Sequence, residues 1–140
     1  MIRAGIGFVL GLTLCVSANA RDSQYRAVDP ENGKFALGGF TVDLGEGDKP
    51  ANASDWQGPI VIHQPNATCT VDPDVAIIER PLFWNGTHLL VTTYSGSHRQ
   101  VYILAAKDCR VVWHSAPFIG SVRVAAGAVV LGGRKIPLDR

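Results

Sequence analysis

The sequence predicts an all-β, antiparallel domain, and three observations carry that reading. Short runs rich in Val, Ile, Phe, Tyr and Thr recur along the chain, separated by Gly, Pro, Asn and Asp. No window repeats apolar residues at i, i+3, i+4 and i+7 for long enough to argue for a long helix. Asn85-Gly86 stands between two such runs, and this dipeptide supplies the two positive φ angles of a type I′ hairpin turn.

From the N-terminus, residues 1–20 read MIRAGIGFVLGLTLCVSANA, with one early positive charge at Arg3, an apolar run over 6–16 and the small residues Ala18-Asn19-Ala20 at the end. That is the three-part plan of a cleaved secretory signal, with the mature chain beginning near Arg21. The apolar run is too short to span a bilayer, so no membrane insertion is expected after cleavage. A lipid anchor on Cys15 is the competing reading; it is opposed by bulky Leu14, where lipoprotein signals need a small residue. Residues 21–34 are polar and aperiodic, an extended N-terminal arm. Residues 35–140 form the single β domain, with strands expected near 35–44, 59–63, 75–80, 88–94, 100–106, 109–114, 121–125 and 128–131. Asn85-Gly86 and Lys107-Asp108 join neighbouring strands into an up-and-down meander. The longest irregular piece is 45–59. Trp56 within it either folds back on the core, as its large apolar area favours, or faces a partner.

Thirteen Lys and Arg stand against 12 Asp and Glu, and loss of Arg3 with the signal leaves the mature chain neutral. There is no basic cluster, so the electrostatic footprint of a nucleic-acid or anionic-membrane binder is missing. Cys15 leaves with the signal, and Cys69 and Cys109 remain. In an oxidising compartment these two most simply pair, and closing a span of that length stabilises by about 4 kcal/mol. A redox-active pair would call for Cys-x-x-Cys spacing, which is absent.

His63, His88, His98 and His114 are the raw material for a metal site or acid–base chemistry, but they lie on separate segments without ligand spacing. The carboxylates Asp43, Glu46 and Asp48, and Asp72 with Asp74, sit in Gly- and Pro-containing stretches where such residues usually form solvated turns. No Gly-x-Ser-x-Gly elbow or Ser-x-x-Lys motif occurs. The expectation is a protein that is not an enzyme and needs no metal or cofactor. Asn52, Asn66 and Asn85 each open an Asn-x-Ser/Thr acceptor pattern, which in a eukaryotic extracellular protein would mark exposed, glycosylated loops. The compact signal and the small cysteine count favour a bacterial periplasmic location.

The stretch YILAAKDCRVVWHS resembles one blade segment of a quinoprotein-type β-propeller: Leu104, Ala106, Arg110 and Trp113 match the repeat, while Ala105, Asp108 and Cys109 replace its Asp, Thr and Gly. The later GSVRVAAGAVVLGGRKIPL reads like the next strands of such a blade. The resemblance implies a propeller-like or sandwich-like stack of small antiparallel sheets, and no quinone.

With catalysis, nucleic acid and membrane set aside, recognition of another protein remains. Ser95-Gly96-Ser97-His98-Arg99 reads as a five-residue loop between apolar segments, longer than a hairpin needs, and it is the expected partner-binding site. In size, export signal, β architecture and possession of a serine-containing hairpin loop, the chain resembles the periplasmic immunity proteins that protect bacteria from cell-wall-cutting type VI secretion toxins. The resemblance implies a partner that is an exported hydrolase, whose cleft the loop would enter. Periplasmic lysozyme inhibitors are the neighbouring reading. Their Ser-Gly loop carries a Tyr three residues after the Gly, whereas Tyr102 comes six after Gly96. An envelope assembly subunit and an uncharacterised hydrolase are the further alternatives.

Overall fold

The computed structural model describes residues 24–138, so the expected signal segment and Cys15 lie outside the described residues. In chain order the strands are β1 (Arg26–Val28), β2 (Lys34–Leu37), β3 (Phe40–Asp43), β4 (Asp55–Trp56), β5 (Val61–Gln64), β6 (Ala67–Thr70) and β7 (Ile78–Trp84). Then follow β8 (His88–Ser95), β9 (His98–Ala105), β10 (Arg110–His114), β11 (Val122–Ala125), β12 (Ala128–Leu131) and β13 (Arg134–Pro137). The fold is all-β, made of several small antiparallel sheets, none of them closed into a barrel.

Three sheets share the work. The order β2-β3-β5-β6 forms the first and β11-β12-β13 the third. Between them β1-β7-β8-β9-β10 forms the largest, with β4 also paired to β7. Side chains alternate faces along a strand, so β8 and β9 supply two separate apolar sets. Leu89, Val91 and Leu104 lie in one cluster with Val42, Leu44 and Ile62 from the first sheet and its connections, and with Trp56 of β4. Leu90 and Val101 lie in another with Val122, Val129 and Leu131 from the third. This makes the second sheet the middle layer, buried on both faces, which is why β8 reads His-Leu-Leu-Val-Thr-Thr as a nearly continuous buried run. Each fully buried Leu or Ile in these clusters stabilises by roughly 1.5–3 kcal/mol relative to exposure. Phe40 and Trp84 meet edge to face across the first interface, centroids 5.7 Å apart.

Cys69 on β6 and Cys109 in the β9–β10 turn form a disulfide with Cα atoms 5.8 Å apart, stapling the first sheet to the middle one. Trp56 is fully buried in the first cluster. Three sequence expectations are corrected. The strand expected at 35–44 is a hairpin, because Gly38-Gly39 turns the chain between Leu37 and its partner Phe40. Within the segment read as an arm, Arg26–Val28 pairs with β7 as β1. At Asn85-Gly86 only Gly86 takes a positive φ, so the turn is not type I′. Instead the Asn85 side-chain carbonyl accepts the backbone N–H groups of Thr87 at 3.0 Å and His88 at 2.7 Å.

Candidate functional site

The β8–β9 hairpin is built from the two longest strands, eight residues each, paired without interruption from His88↔Ala105 to Ser95↔His98. The loop between them is therefore two residues, Gly96-Ser97, and not five. Ser95, His98 and Arg99 belong to the strands. Gly96 has φ +62 and Ser97 does not, the pattern of a type II′ turn with Gly at its first central position, whose twist matches that of the flanking strands.

Neighbouring segments flank the hairpin only up to its last turn. On one edge the Ile77 carbonyl accepts the Tyr94 N–H at 3.1 Å. On the other, Arg99 and Phe118 exchange backbone hydrogen bonds of 2.8 and 2.9 Å. Beyond these points Ser95, Gly96, Ser97 and His98 are exposed, and a Cβ on Gly96 would meet nothing within 4 Å. The tip is a small polar knob made of one rung, Ser95↔His98, and the two-residue turn.

Its base is pinned by side chains. Arg99 donates through Nε to the Glu79 carboxylate on β7, and through Nη1 to the Gly120 carbonyl at 3.2 Å. Tyr94 donates its hydroxyl to Asp55 Oδ2 at 3.0 Å, and that bond to a carboxylate raises the phenol's pKa above its usual value. Arg99 was expected at the loop edge, facing a partner. In the fold its guanidinium is engaged at the base of the hairpin, so it positions the tip.

The four histidines do not converge. His63 contacts Thr68 at 3.2 Å on the first sheet, and His88 contacts Thr87 at 2.9 Å beside the Asn85 turn. His114 meets Gln100 at 3.2 Å with its ring 5.8 Å from that of Tyr102, and His98 stands at the tip. Among the described residues no group of three or more His, Cys, Asp or Glu could hold a metal ion. Asp43, Asp48 and Asp72 each accept a loop backbone N–H, from Gly45 at 2.9 Å, Ser54 at 2.7 Å and Asp74 at 2.9 Å, so they shape turns. Sequence reasoning missed the Arg99–Glu79 and Tyr94–Asp55 pairs. Their partners lie 20 and 39 residues apart, and only strand register brings them together.

Comparison with protein-family models, with curated proteins and with solved structures gives no match.

Proposed function

We propose that the protein is an exported binding module that inhibits a cell-wall-degrading hydrolase by inserting the β8–β9 tip into its catalytic cleft, as an immunity protein does. One observation supports this reading most: the tip is exposed and polar, yet its base is held by Arg99, Tyr94 and backbone bonds on both edges. A projection that is already ordered loses little conformational entropy on docking, so its few hydrogen bonds count toward affinity. In the bound state Ser95 and Ser97 offer hydroxyls to polar catalytic groups, and Gly96 admits close backbone approach. The same reading makes the protein a periplasmic binder with no catalytic activity, cofactor or metal of its own.

The reading expects an exported hydrolase to be encoded beside this gene, and that enzyme is the partner used in the test. Wild-type protein is expected to bind it in calorimetry and to suppress its cleavage of peptidoglycan. Ser97→Trp is the sharper perturbation, because Gly96→Trp would also place a side chain at φ +62. If the tip is a hot spot, Ser97→Trp weakens binding by about 2 kcal/mol or more, and Ser97→Ala by about 1. Equal affinity of Ser97→Trp and wild type would refute insertion of the tip. No inhibition by wild type would refute the function.

A further inference from the structure

Where β8 begins, at the opposite end from the hairpin tip, the middle and third sheets part. Ile103 and Trp113 of the middle sheet, with Ile136 of β13 and Leu138 just after it, pack against the cluster around Leu90 but stay partly exposed. Between them lies a recess of about 260 Å³, and beside it one of about 620 Å³. The two share Tyr25, Asn85, His88 and Leu138 as lining, and their size is on the scale of small-molecule sites.

A β-bulge shapes the wall of the smaller recess. Val111 pairs with Leu104 and Trp113 with Ile103, so Val112 is the extra residue on β10. In a regular strand residues 111 and 113 would share a face. Here Val111 packs with the cluster toward the first sheet and Trp113 with the cluster toward the third. The bulge thus re-aims the Trp113 indole to the recess and leaves Val112, 40% exposed, on the same lining.

Tyr25 and His88 line both recesses and supply a donor and an acceptor. The Tyr25 hydroxyl makes no hydrogen bond with a described residue, and burial alone pushes its pKa up to about 12, so it keeps its proton. For His88 the assignment follows from counting hydrogens. The Thr87 hydroxyl donates to Asn85 Oδ1 at 3.2 Å, so toward His88 Nδ1, at 2.9 Å, it can only accept. The proton of the neutral imidazole therefore sits on Nδ1, and Nε2 is an acceptor. No described Lys, Arg, Asp or Glu lines either recess, so a charged ligand would lose hydration without meeting a counter-charge.

We propose that this recess binds a small neutral aromatic molecule that carries one hydroxyl group. The ring lies against Trp113, Ile103 and Ile136, where aromatic and aliphatic walls meet it. The hydroxyl donates to His88 Nε2 and accepts from the Tyr25 hydroxyl, a complementary pair of bonds that a plain hydrocarbon cannot make. Because the recess and the hairpin tip lie at opposite ends of β8, this site is independent of the tip.

The probe is p-cresol, with toluene as the counterpart that lacks the hydroxyl, added to ¹⁵N-labelled protein at pH 8. The Trp113 indole N–H resonance is expected to move saturably with p-cresol, and toluene to bind at least tenfold more weakly. Tyr25→Phe keeps the ring and is expected to weaken p-cresol at least threefold while leaving toluene unchanged. Val112→Phe, at an exposed position, is expected to fill the recess and abolish binding of both, with an unchanged CD spectrum. If the resonance ignores p-cresol, or moves when protein concentration alone is raised because a second copy covers the face, the proposal falls. Wild-type affinity in Val112→Phe places the ligand elsewhere and overturns it as well. Equal binding of p-cresol and toluene, or wild-type affinity in Tyr25→Phe, overturns the hydroxyl assignment.

Discussion

Removing the Cys69–Cys109 bridge gives a prediction whose size follows from its place in the chain. The two residues are separated by 40 positions, and the loop-entropy relation then assigns the crosslink about 4 kcal/mol at 25 °C. That is a large share of the roughly 5–15 kcal/mol typical of a domain. With unfolding entropy near 2.1 cal/mol/K per residue over roughly 115 residues, the same loss lowers Tm by about 16 °C. The staple also joins two layers, and Cys109 is only 4% exposed, so replacing it removes some packing as well. The assay is thermal unfolding by CD for wild type and for Cys69→Ala with Cys109→Ala, each with and without reductant. Wild type in reductant and the double variant without it should melt at similar temperatures, both far below oxidised wild type. A difference under about 5 °C would refute the reasoning, because the unfolded chain would then already be restricted between these positions.

Other expectations rest on single sites. Gly132→Ala should cost about 3 kcal/mol and Gly133→Ala about 1, read by chemical denaturation: both have positive φ, but only at Gly132 would the new Cβ collide with the Ile119 carbonyl, at 2.3 Å. Thr92→Val should cost about 1 kcal/mol, since the buried hydroxyl donates to the Pro81 carbonyl at 3.0 Å and its loss strands that acceptor. Burial raises the Tyr25 phenol pKa from 10.0 to about 12, so the folded state holds the proton more tightly. Its contribution to stability is complete below pH 10 and declines as pH rises from 10 toward 12, with the phenolate absorbance of Tyr25 appearing near pH 12 in the folded protein.

Strand content was legible wherever one face is buried. Leu89 to Val91 and Val101 to Leu104 announce themselves because apolar residues occur there for packing reasons. The hairpin end at Ser95 and His98 was misread as loop for the complementary reason. Past the last flanking segment both faces meet water, so polarity no longer distinguishes a paired residue from a turn. The short strands β4, β6 and β13 were missed because two to four residues, mostly polar or partly exposed, carry no period. Gly38-Gly39 was a signal available and passed over: two glycines between apolar runs are a turn signature, yet the run was read as one strand. The disulfide was readable by counting, since two cysteines were left to pair. That the buried Trp56 indole N–H has no hydrogen-bond partner among the described residues was not readable, because satisfaction of a donor depends on the whole surrounding shell.

The two faces of the middle sheet are unequally secured. The interface with the first sheet is wide and covalently stapled, whereas the third sheet rests on the smaller cluster around Leu90, Val101 and Val129 with no crosslink among the described residues. Native-state hydrogen exchange should therefore resolve two tiers, with amides of β11 to β13 opening at lower free energy than those of β8. Because Arg99 reaches Gly120, at the entrance to that weaker layer, each such opening also loosens one of the ties that hold the hairpin tip. The time for which the tip stays ordered is thus set partly by an element that never comes near it in sequence.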